Sequence, residues 1–249
     1  MRSIRLEELS WPEVKDALES GVDTVVFAVG STEQHGPHLP LATDTLIGEW
    51  LAEAVARTLG NALFASAIRV GCSQHHITFP GTMSIEAPTL KQLLRSYVES
   101  FLRHGFHRVI IVPSHGGNFQ TVAEAAQELE QEFPDRKIVG FFNLNRLIAA
   151  SHELSKRYGI SPGASGAHAG EFETSILLFL RPDLVNMKAA AEGFTGNIEP
   201  LIPDLLKHGL AGVTANGVLG DGRLGEASRG EEYLRAWLDL ILTEVNVSA

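Results

Sequence analysis

A short segment that contains two prolines concentrates side chains able to bind metal ions. This segment, STEQHGPHLPLATD at residues 31–44, contains Glu33, His35, His38 and Asp44. Glu33 and His35 are two residues apart, so in an extended segment their side chains leave the chain on the same face. Carboxylates and imidazoles without thiolates suit a divalent ion such as Zn²⁺ or Mn²⁺, and a carboxylate can bridge two such ions. The alternative for any one of these residues is a helix cap, as for Asp44, or a solvated loop side chain.

Three further segments carry residues of the same chemical types. They read SQHHITFPGTMS at residues 73–84, SHGGN at residues 114–118 and HAGEFETS at residues 168–175. His75 and His76, like His38, either orient metal ligands or are simply packed or solvated. Cys72 is interpreted as a small buried hydrophobic residue, because no partner that would activate its thiol is visible in the sequence.

The elements that must position these segments alternate between short apolar runs and longer amphipathic patterns. Apolar runs of strand length, each ending at Gly, Ser or Asn, occupy residues 23–30, 62–71, 108–114 and 136–143. Apolar residues at helical spacing occupy residues 44–59, 89–104 and 118–133. This alternation predicts an α/β fold, a three-layer sandwich in which helices flank a mostly parallel central sheet. In such a sheet the ligand site lies beyond the carboxyl ends of the strands, where the polar segments begin.

The remaining organisation of the chain favours one domain. No linker rich in Pro, Gly or Ser interrupts the pattern before residue 160, so residues 1–249 are predicted to form a single domain. Residues 211–230 contain six glycines and predict a long loop, followed by a final helix at residues 231–245. The loop is interpreted either as a lid over the substrate or as a contact between subunits.

Composition and charge exclude several classes of function. The 249 residues carry a formal charge of −10, which does not favour binding of nucleic acid. The sequence contains no uninterrupted run of 18 apolar residues, which a membrane-spanning helix would need. One cysteine cannot form an internal disulfide, and the first residues contain acids where a signal peptide needs an apolar stretch. We therefore expect a cytoplasmic protein without a membrane or nucleic-acid partner.

Together, the four segments resemble the motifs of the creatininase family of metal-dependent amidohydrolases. The resemblance rests on their order and spacing over roughly residues 20–235, ending in the glycine-rich NGVLGDGRLGEAS. It implies a single α/β domain with a parallel sheet and two divalent metal ions, Zn and/or Mn, with Fe as a further option. It also implies that Glu33 and His115 bind one metal, that His35 binds the other, and that Asp44 bridges both.

Two differences from the creatininases proper change the ligands and the substrate that this resemblance implies. Those enzymes carry a Glu, the remaining ligand of the second metal, at the position that Gly117 occupies here. Glu171 stands where a creatininase proper has an apolar residue, so we expect Glu171 to replace the missing ligand, with Glu173 as the alternative. Creatininases proper also have a tryptophan over the substrate where this chain has Ala164, which argues against creatinine as the substrate.

The resemblance further implies roles for three residues in the reaction. His168 matches the acid/base histidine of the family, and we expect it to deliver a proton to the leaving nitrogen. The alternative for His168 is a loop histidine that only caps the next helix. Ser73 is expected to hydrogen-bond the substrate, and Gly116 to let the backbone approach the metals or the substrate closely.

The expected function is hydrolysis of a C–N bond in a small molecule, such as a cyclic amide or formamide, by a metal-activated water. Two alternatives remain at this stage. One is a lactone or keto-sugar hydrolase that uses the same metals, and the other is a non-catalytic protein that binds a metal or a metabolite. The resemblance also implies a closed homo-oligomer, often a hexamer.

Overall fold

The computed structural model describes residues 2–140, 142–197 and 199–247 and contains a four-stranded parallel sheet. Its strands are β1 (Thr24–Val29), β2 (Ala62–Ile68), β3 (Arg108–Pro113) and β4 (Lys137–Val139). They lie in the order β2, β1, β3, β4, and every neighbouring pair is parallel. The four predicted strands are therefore present. β4 is shorter than the apolar run at residues 136–143, and residue 141 of that run lies outside the described residues.

Nine helices are described over the same ranges. They are α1 (Trp11–Glu19), α2 (Thr43–Leu59), α3 (Ala87–His104), α4 (Phe119–Glu132), α5 (Leu144–Lys156), α6 (Pro162–Ser165), α7 (Glu171–Leu180), α8 (Ile202–His208) and α9 (Ala227–Val247). The three predicted connecting helices correspond to α2, α3 and α4, with ends that differ by at most two residues.

The final helix begins earlier than the glycine content predicts. α9 starts at Ala227, so Gly230 lies inside this helix and does not end a loop. A Cβ atom at position 230 would overlap the backbone oxygen of Ser175 on α7. The glycine therefore allows two helices to pack closely, which the sequence alone does not distinguish from a loop glycine.

Helices cover both faces of the sheet, because successive side chains of each strand point to opposite sides. Val26 and Ala28 of β1 pack in one buried cluster with residues of α2, α5, α7 and α9. Val25, Phe27 and Val29 pack in the other cluster, with residues of α1, α3 and α4. All six residues of β1 are buried, as expected for a parallel strand between two helical layers. The predicted three-layer arrangement is confirmed.

The layers bring the polar segments to one edge of the sheet. The segment 31–44 follows β1, the segment 73–84 follows β2, and the segment 114–118 follows β3. Because the strands are parallel, these three segments meet at the carboxyl edge, where α7 joins them from the covering layer. Within the described ranges, no helix combines the length and the hydropathy needed to cross a membrane.

Candidate metal centre

Four of the predicted metal ligands converge at the carboxyl edge of the sheet. Glu33, His35, Asp44 and His115 are all buried, none more than 4% exposed. His115 Nδ1 lies 3.2 Å from Glu33 Oε1 and 3.3 Å from Asp44 Oδ2. His35 Nε2 lies 3.4 Å from Asp44 Oδ1. The two oxygens of Asp44 thus face the two histidines, which is the arrangement required of a bridging carboxylate.

Asp44 does not cap the helix that carries it. The residue that precedes α2 is Ala42, and Asp44 lies in the first turn of the helix. Its Oδ2 is buried and accepts no hydrogen bond. The capping interpretation of Asp44 is therefore wrong, because the carboxylate points into the cluster.

The hydrogen bonds of His35 and His115 leave one ring nitrogen of each available for a metal. His35 Nδ1 donates to the backbone oxygen of Glu33 at 3.2 Å, and His115 Nε2 donates to that of Cys72 at 3.2 Å. The remaining nitrogens, His35 Nε2 and His115 Nδ1, face the carboxylates and can bind a metal when they are not protonated. Metal-binding histidines typically donate the second nitrogen to a carbonyl or carboxylate in this way.

Three buried polar atoms in this cluster have no hydrogen-bond partner. They are Glu33 Oε1, His35 Nε2 and Asp44 Oδ2. Buried polar atoms are nearly always hydrogen-bonded, so three such atoms that face one another call for a ligand. The donor set of carboxylate oxygen and imidazole nitrogen fits Zn²⁺ or Mn²⁺.

The charges of the cluster show how strongly it favours a cation. Burial opposes protonation of His35, but the carboxylates of Asp44, Glu173 and Glu33 outweigh it and raise the pKa of His35 to about 9. The pKa of His115 is likewise raised well above its ordinary value, by Glu33 and Asp44. The pKa of Asp44 is lowered, because the nearby histidines outweigh its burial. In the absence of a metal, protons on the histidines balance the buried carboxylates, and a cation must displace them.

The acidic residue from α7 that joins this cluster is Glu173. Its Oε2 lies 4.0 Å from His35 Nε2 and accepts the N–H of Ala169 at 2.5 Å. His35, His168 and Glu173 can each offer one ligand atom within 4.8 Å of the others. Burial, helped by Asp44, raises the pKa of Glu173 to about 7. The alternative ligand named from the sequence is thus the one that the fold brings to the site.

Glu171 is not brought to the cluster, although it was the preferred candidate. Its carboxylate accepts hydrogen bonds from Ser175 Oγ at 2.8 Å, Arg229 Nε at 2.8 Å and Tyr233 Oη at 2.7 Å. Residues two apart on an α-helix point about 200° away from each other, so Glu171 and Glu173 cannot face the same site. Glu171 instead joins α7 to α9.

Gly117, which stands at the position of the expected Glu ligand, is closely packed. A Cβ atom at Gly117 would lie 2.6 Å from His115 Nε2 and would overlap the backbone oxygen of Cys72. His115 therefore lies closely against this glycine. Gly116, in contrast, lines the cavity beside the cluster.

His168 lies at the cluster and does not cap a helix. The residue that precedes α7 is Gly170. His168 Nε2 lies 2.8 Å from the backbone oxygen of Gln34, and Nδ1 faces Glu33 Oε1 at 3.9 Å. Burial and the neighbouring His35 lower the pKa of His168 to about 3, so its ring is neutral.

Ser73 is buried beside the ligands. Its Oγ lies 2.5 Å from Ser31 Oγ and 3.4 Å from His115 Nε2. Ser31 Oγ in turn donates to Glu33 Oε2 at 3.1 Å. Ser73 thus contacts His115 directly and Glu33 through Ser31, and both of these are predicted metal ligands.

A cavity of about 240 Å³ opens beside the cluster. Its polar end is formed by Asp44, His76, His115, His168 and Glu173, and much of the remaining wall is apolar. The apolar lining comprises Leu144, Ile148, Ala167, Phe172, Leu205, Leu210, Leu219 and Trp237. The Phe and Trp side chains of this lining are Phe172 of α7 and Trp237 of α9.

The sequence indicated no role for Gln34, and for His76 it left open whether the side chain orients metal ligands or is only packed or solvated. Gln34 and His76 are buried between the ligands and His168, and His76 Nε2 lies 3.4 Å from Glu33 Oε1. Gln34 lies between two predicted ligands and His76 follows a strand end, but neither position indicates which atoms meet.

The fold and the site together define a hydrolase-type metal centre on a parallel α/β sandwich. Residues 7–245 match the family model described as Creatininase: Creatinine amidohydrolase. The chain therefore belongs to the creatininase family, as the motifs predicted.

Proteins similar to this chain differ in their named reactions. A mycofactocin precursor peptide peptidase of Mycolicibacterium smegmatis is 36% identical over 86% of this chain and 81% of its own length. A 3-dehydro-scyllo-inosose hydrolase of Thermotoga maritima is 28% identical over 96% of this chain and 81% of its own length. A solved structure described as "Creatininase Mn" is 25% identical, covers 98% of each chain and superposes with a TM-score of 0.79. These relatives are hydrolases, so the predicted enzyme class and fold class are confirmed.

Proposed function

We propose that this chain is a two-metal hydrolase that cleaves an amide-type C–N bond. Glu33 and His115 are assigned to one cation, His35 and Glu173 to the other, and Asp44 to both. We choose Glu173 in place of Glu171 because three donors already engage the Glu171 carboxylate. The single observation that carries the proposal is the set of unpartnered buried atoms on Glu33, His35 and Asp44, which face one another.

When bound, two divalent cations lower the pKa of water and polarise the carbonyl group that is attacked. The chain supplies the remaining requirements. Glu33, Asp44 and Glu173 balance the positive charge, and burial excludes bulk water from their carboxylates.

His168 is assigned the proton transfer. Its neutral ring directs Nδ1 toward the site, where it takes a proton from the attacking water and gives that proton to the leaving nitrogen. A purely structural metal site needs no such group, so His168 supports catalysis over simple metal binding.

The lining of the cavity favours an amide substrate with an apolar substituent. Apolar side chains such as Leu144, Ile148 and Leu219 offer no hydrogen bonds to the hydroxyl groups of a sugar. The relative named as a peptide peptidase supports a peptide as well as a small amide as the substrate. The inosose hydrolase supports the second candidate, a keto-sugar or lactone hydrolase on the same metals.

A screen of purified protein tests the proposal. Metal content is measured first, and hydrolysis is then followed by mass spectrometry over formamides, lactams, cyclic ureides, short peptides, lactones and keto-sugars. We expect cleavage of an amide that chelation abolishes and that Zn²⁺ or Mn²⁺ restores. Activity that survives complete removal of metal contradicts the proposal, and cleavage of lactones or keto-sugars alone supports the second candidate.

A further inference from the structure

The side chain of Gln34 contacts two histidines of the site at once. Gln34 Nε2 lies 2.9 Å from His76 Nδ1 and 2.9 Å from His168 Nε2. Gln34 is itself buried, and a Cβ atom at Gly217 would overlap its Oε1, so the loop around Gly217 closes directly over this amide. Side-chain and backbone groups of residue 34 thus lie against both imidazoles.

Backbone groups fix the orientation of the Gln34 amide. Oε1 accepts the N–H of Gly36 at 2.9 Å, and a backbone N–H can only donate. Nε2 donates to the backbone oxygen of Gly217 at 3.2 Å, which can only accept. Exchanging the amide oxygen and nitrogen would break both bonds, so the amide nitrogen faces the histidines.

This orientation determines where His76 carries its hydrogen. The amide nitrogen has hydrogens to donate and no lone pair to accept one, so His76 Nδ1 must be the unprotonated acceptor. The hydrogen of the neutral ring is then on Nε2. His76 lines the cavity, and its Nε2 is 3.4 Å from Glu33 Oε1, longer than a normal N–H···O hydrogen bond. The N–H is thus available to a substrate.

His76 consequently differs from the two histidines assigned to the metals. His35 and His115 donate through the nitrogen that faces away from the cluster and, once a cation has displaced the other proton, present a lone pair to it. His76 accepts on the far side and presents an N–H. Glu33, His76 and His168 can bring ligand atoms within 4.8 Å of one another, but a protonated nitrogen cannot bind a cation.

His168, unlike His76, presents an unprotonated nitrogen to the cluster. Its Nε2 lies 2.8 Å from the backbone oxygen of Gln34, which accepts only, so Nε2 carries the hydrogen. The two hydrogens of the Gln34 amide are already directed to His76 and Gly217. Nδ1 of His168 is therefore bare and faces Glu33.

We propose that Gln34 is a positioning residue that makes His76 a hydrogen-bond donor to the carbonyl oxygen of the substrate, while His168 remains the proton acceptor. This inference rests on the proposed amide hydrolysis. As the carbonyl carbon is attacked, negative charge develops on its oxygen, and a fixed donor that is already oriented stabilises that charge. No proton leaves His76 in this step.

The hydrogen positions are tested by ¹⁵N NMR of the zinc-loaded protein labelled at histidine, with the His76→Leu and His168→Leu variants used to assign the signals. We expect His76 to be protonated at Nε2 only and to show no metal-bound nitrogen. In the Gln34→Glu variant the new carboxylate accepts, so the hydrogen of His76 should move to Nδ1. Gln120→Glu, the same change at an exposed glutamine of α4, should leave the His76 signals unchanged.

The role of the donor is tested separately on metal content and turnover. His76→Leu should keep both cations and lose about 10²–10³-fold in kcat with little change in KM, as for removal of one oxyanion donor. His76→Gln, whose amide can donate from a similar position, should recover part of that loss.

Three results overturn the inference. They are a wild-type His76 protonated at Nδ1, a metal-bound signal from its Nε2, or loss of a cation from His76→Leu. If no amide were hydrolysed but the NMR result held, the proposed function would fail while the hydrogen assignment stood. The two failures are therefore distinguishable.

Discussion

Glu171 and Glu173 are two residues apart on α7 and direct their carboxylates to opposite sides of that helix. Glu173 Oε2 lies 4.0 Å from His35 Nε2, whereas Glu171 Oε1 accepts a hydrogen bond from Arg229 Nε at 2.8 Å. The two acids thus serve different purposes, one at the metal centre and one in the packing of α7 against α9. This difference can be measured with two matched variants.

Glu173→Gln should lose the cation assigned to His35, because an amide is a weaker ligand than a carboxylate and carries no charge. Elemental analysis should then show about one metal per chain where the wild type binds two. Glu171→Gln is the matched control and should keep both. It should instead lower the free energy of unfolding by on the order of 3 kcal/mol, because Arg229 loses its buried counterion. Loss of metal from Glu171→Gln and not from Glu173→Gln would reverse the assignment.

Asp44→Ala should remove both cations, since both are assigned to this carboxylate. His35→Ala should spare the cation held by Glu33 and His115. Metal content after exhaustive dialysis distinguishes these outcomes. A full pair of cations in Asp44→Ala would show that Asp44 does not bridge.

His168→Ala should keep its metals and bind substrate with little change, yet lose roughly 10²–10⁴-fold in kcat, the usual effect of removing a general acid or base. Steady-state kinetics and metal analysis on the same preparation measure both quantities. Unchanged turnover on the true substrate would leave His168 without a chemical role, and loss of metal would make it a ligand.

Binding of Zn²⁺ to the metal-free protein should release at least two protons per chain at neutral pH, because His35 and His115 must lose theirs and Glu173, whose pKa is about 7, is still partly protonated. The pKa of His35 is raised from 6.5 to about 9, and that of His115 is also raised. The affinity for zinc should therefore increase as the pH rises toward 9. The stability that protonated His35 gives the metal-free protein changes with pH in the opposite direction to the zinc affinity. It is complete below pH 6.5 and is lost as the pH rises through about 9.

Titration in a weak buffer with a pH indicator measures the released protons directly. The Asp44→Ala variant serves as the control, because it should bind neither cation. Zinc binding without proton release in the wild type would show that the histidines are neutral before the metal arrives.

Gly117→Ala should weaken binding of the cation assigned to His115, because the added Cβ atom would lie 2.6 Å from His115 Nε2 and displace the ring. Gly116→Ala is a suitable comparison, since the nearest atom to a Cβ atom there is 3.7 Å away, on Leu144. Isothermal titration with zinc should show lower affinity for the first variant only. Equal affinities would show that the packing around Gly117 does not control His115.

Several expectations from the sequence stay predictions. Organisation as a single domain, the cytoplasmic location and the hexamer rest on composition or on family resemblance. The same holds for the roles of Ser73 and Gly116 toward a substrate, and for the glycine-rich segment 211–230 as a lid or subunit contact.

The sequence by itself determined the features that follow from periodic patterns and from short motifs. Apolar runs of strand length and helical spacing were enough to predict four strands and the helices α2, α3 and α4. Motif spacing was enough to bring Glu33, His35, Asp44 and His115 to one edge, because parallel strands end together. These inferences need only the repeat of each element and the direction of the chain.

What only the tertiary structure decided depends on rotation and packing between elements distant in the chain. Glu171 and Glu173 are equivalent as residue types, and the docking of α7 on α9 selects the acid that faces His35. Gly230 is indistinguishable from a loop glycine until Ser175 of another helix is seen against it. The hydrogen on His76 depends on an amide at position 34 that Gly217, 183 residues further along, holds in place. Contacts between such distant residues leave no periodic pattern in the sequence. They can therefore be identified only once the packing of the layers is known.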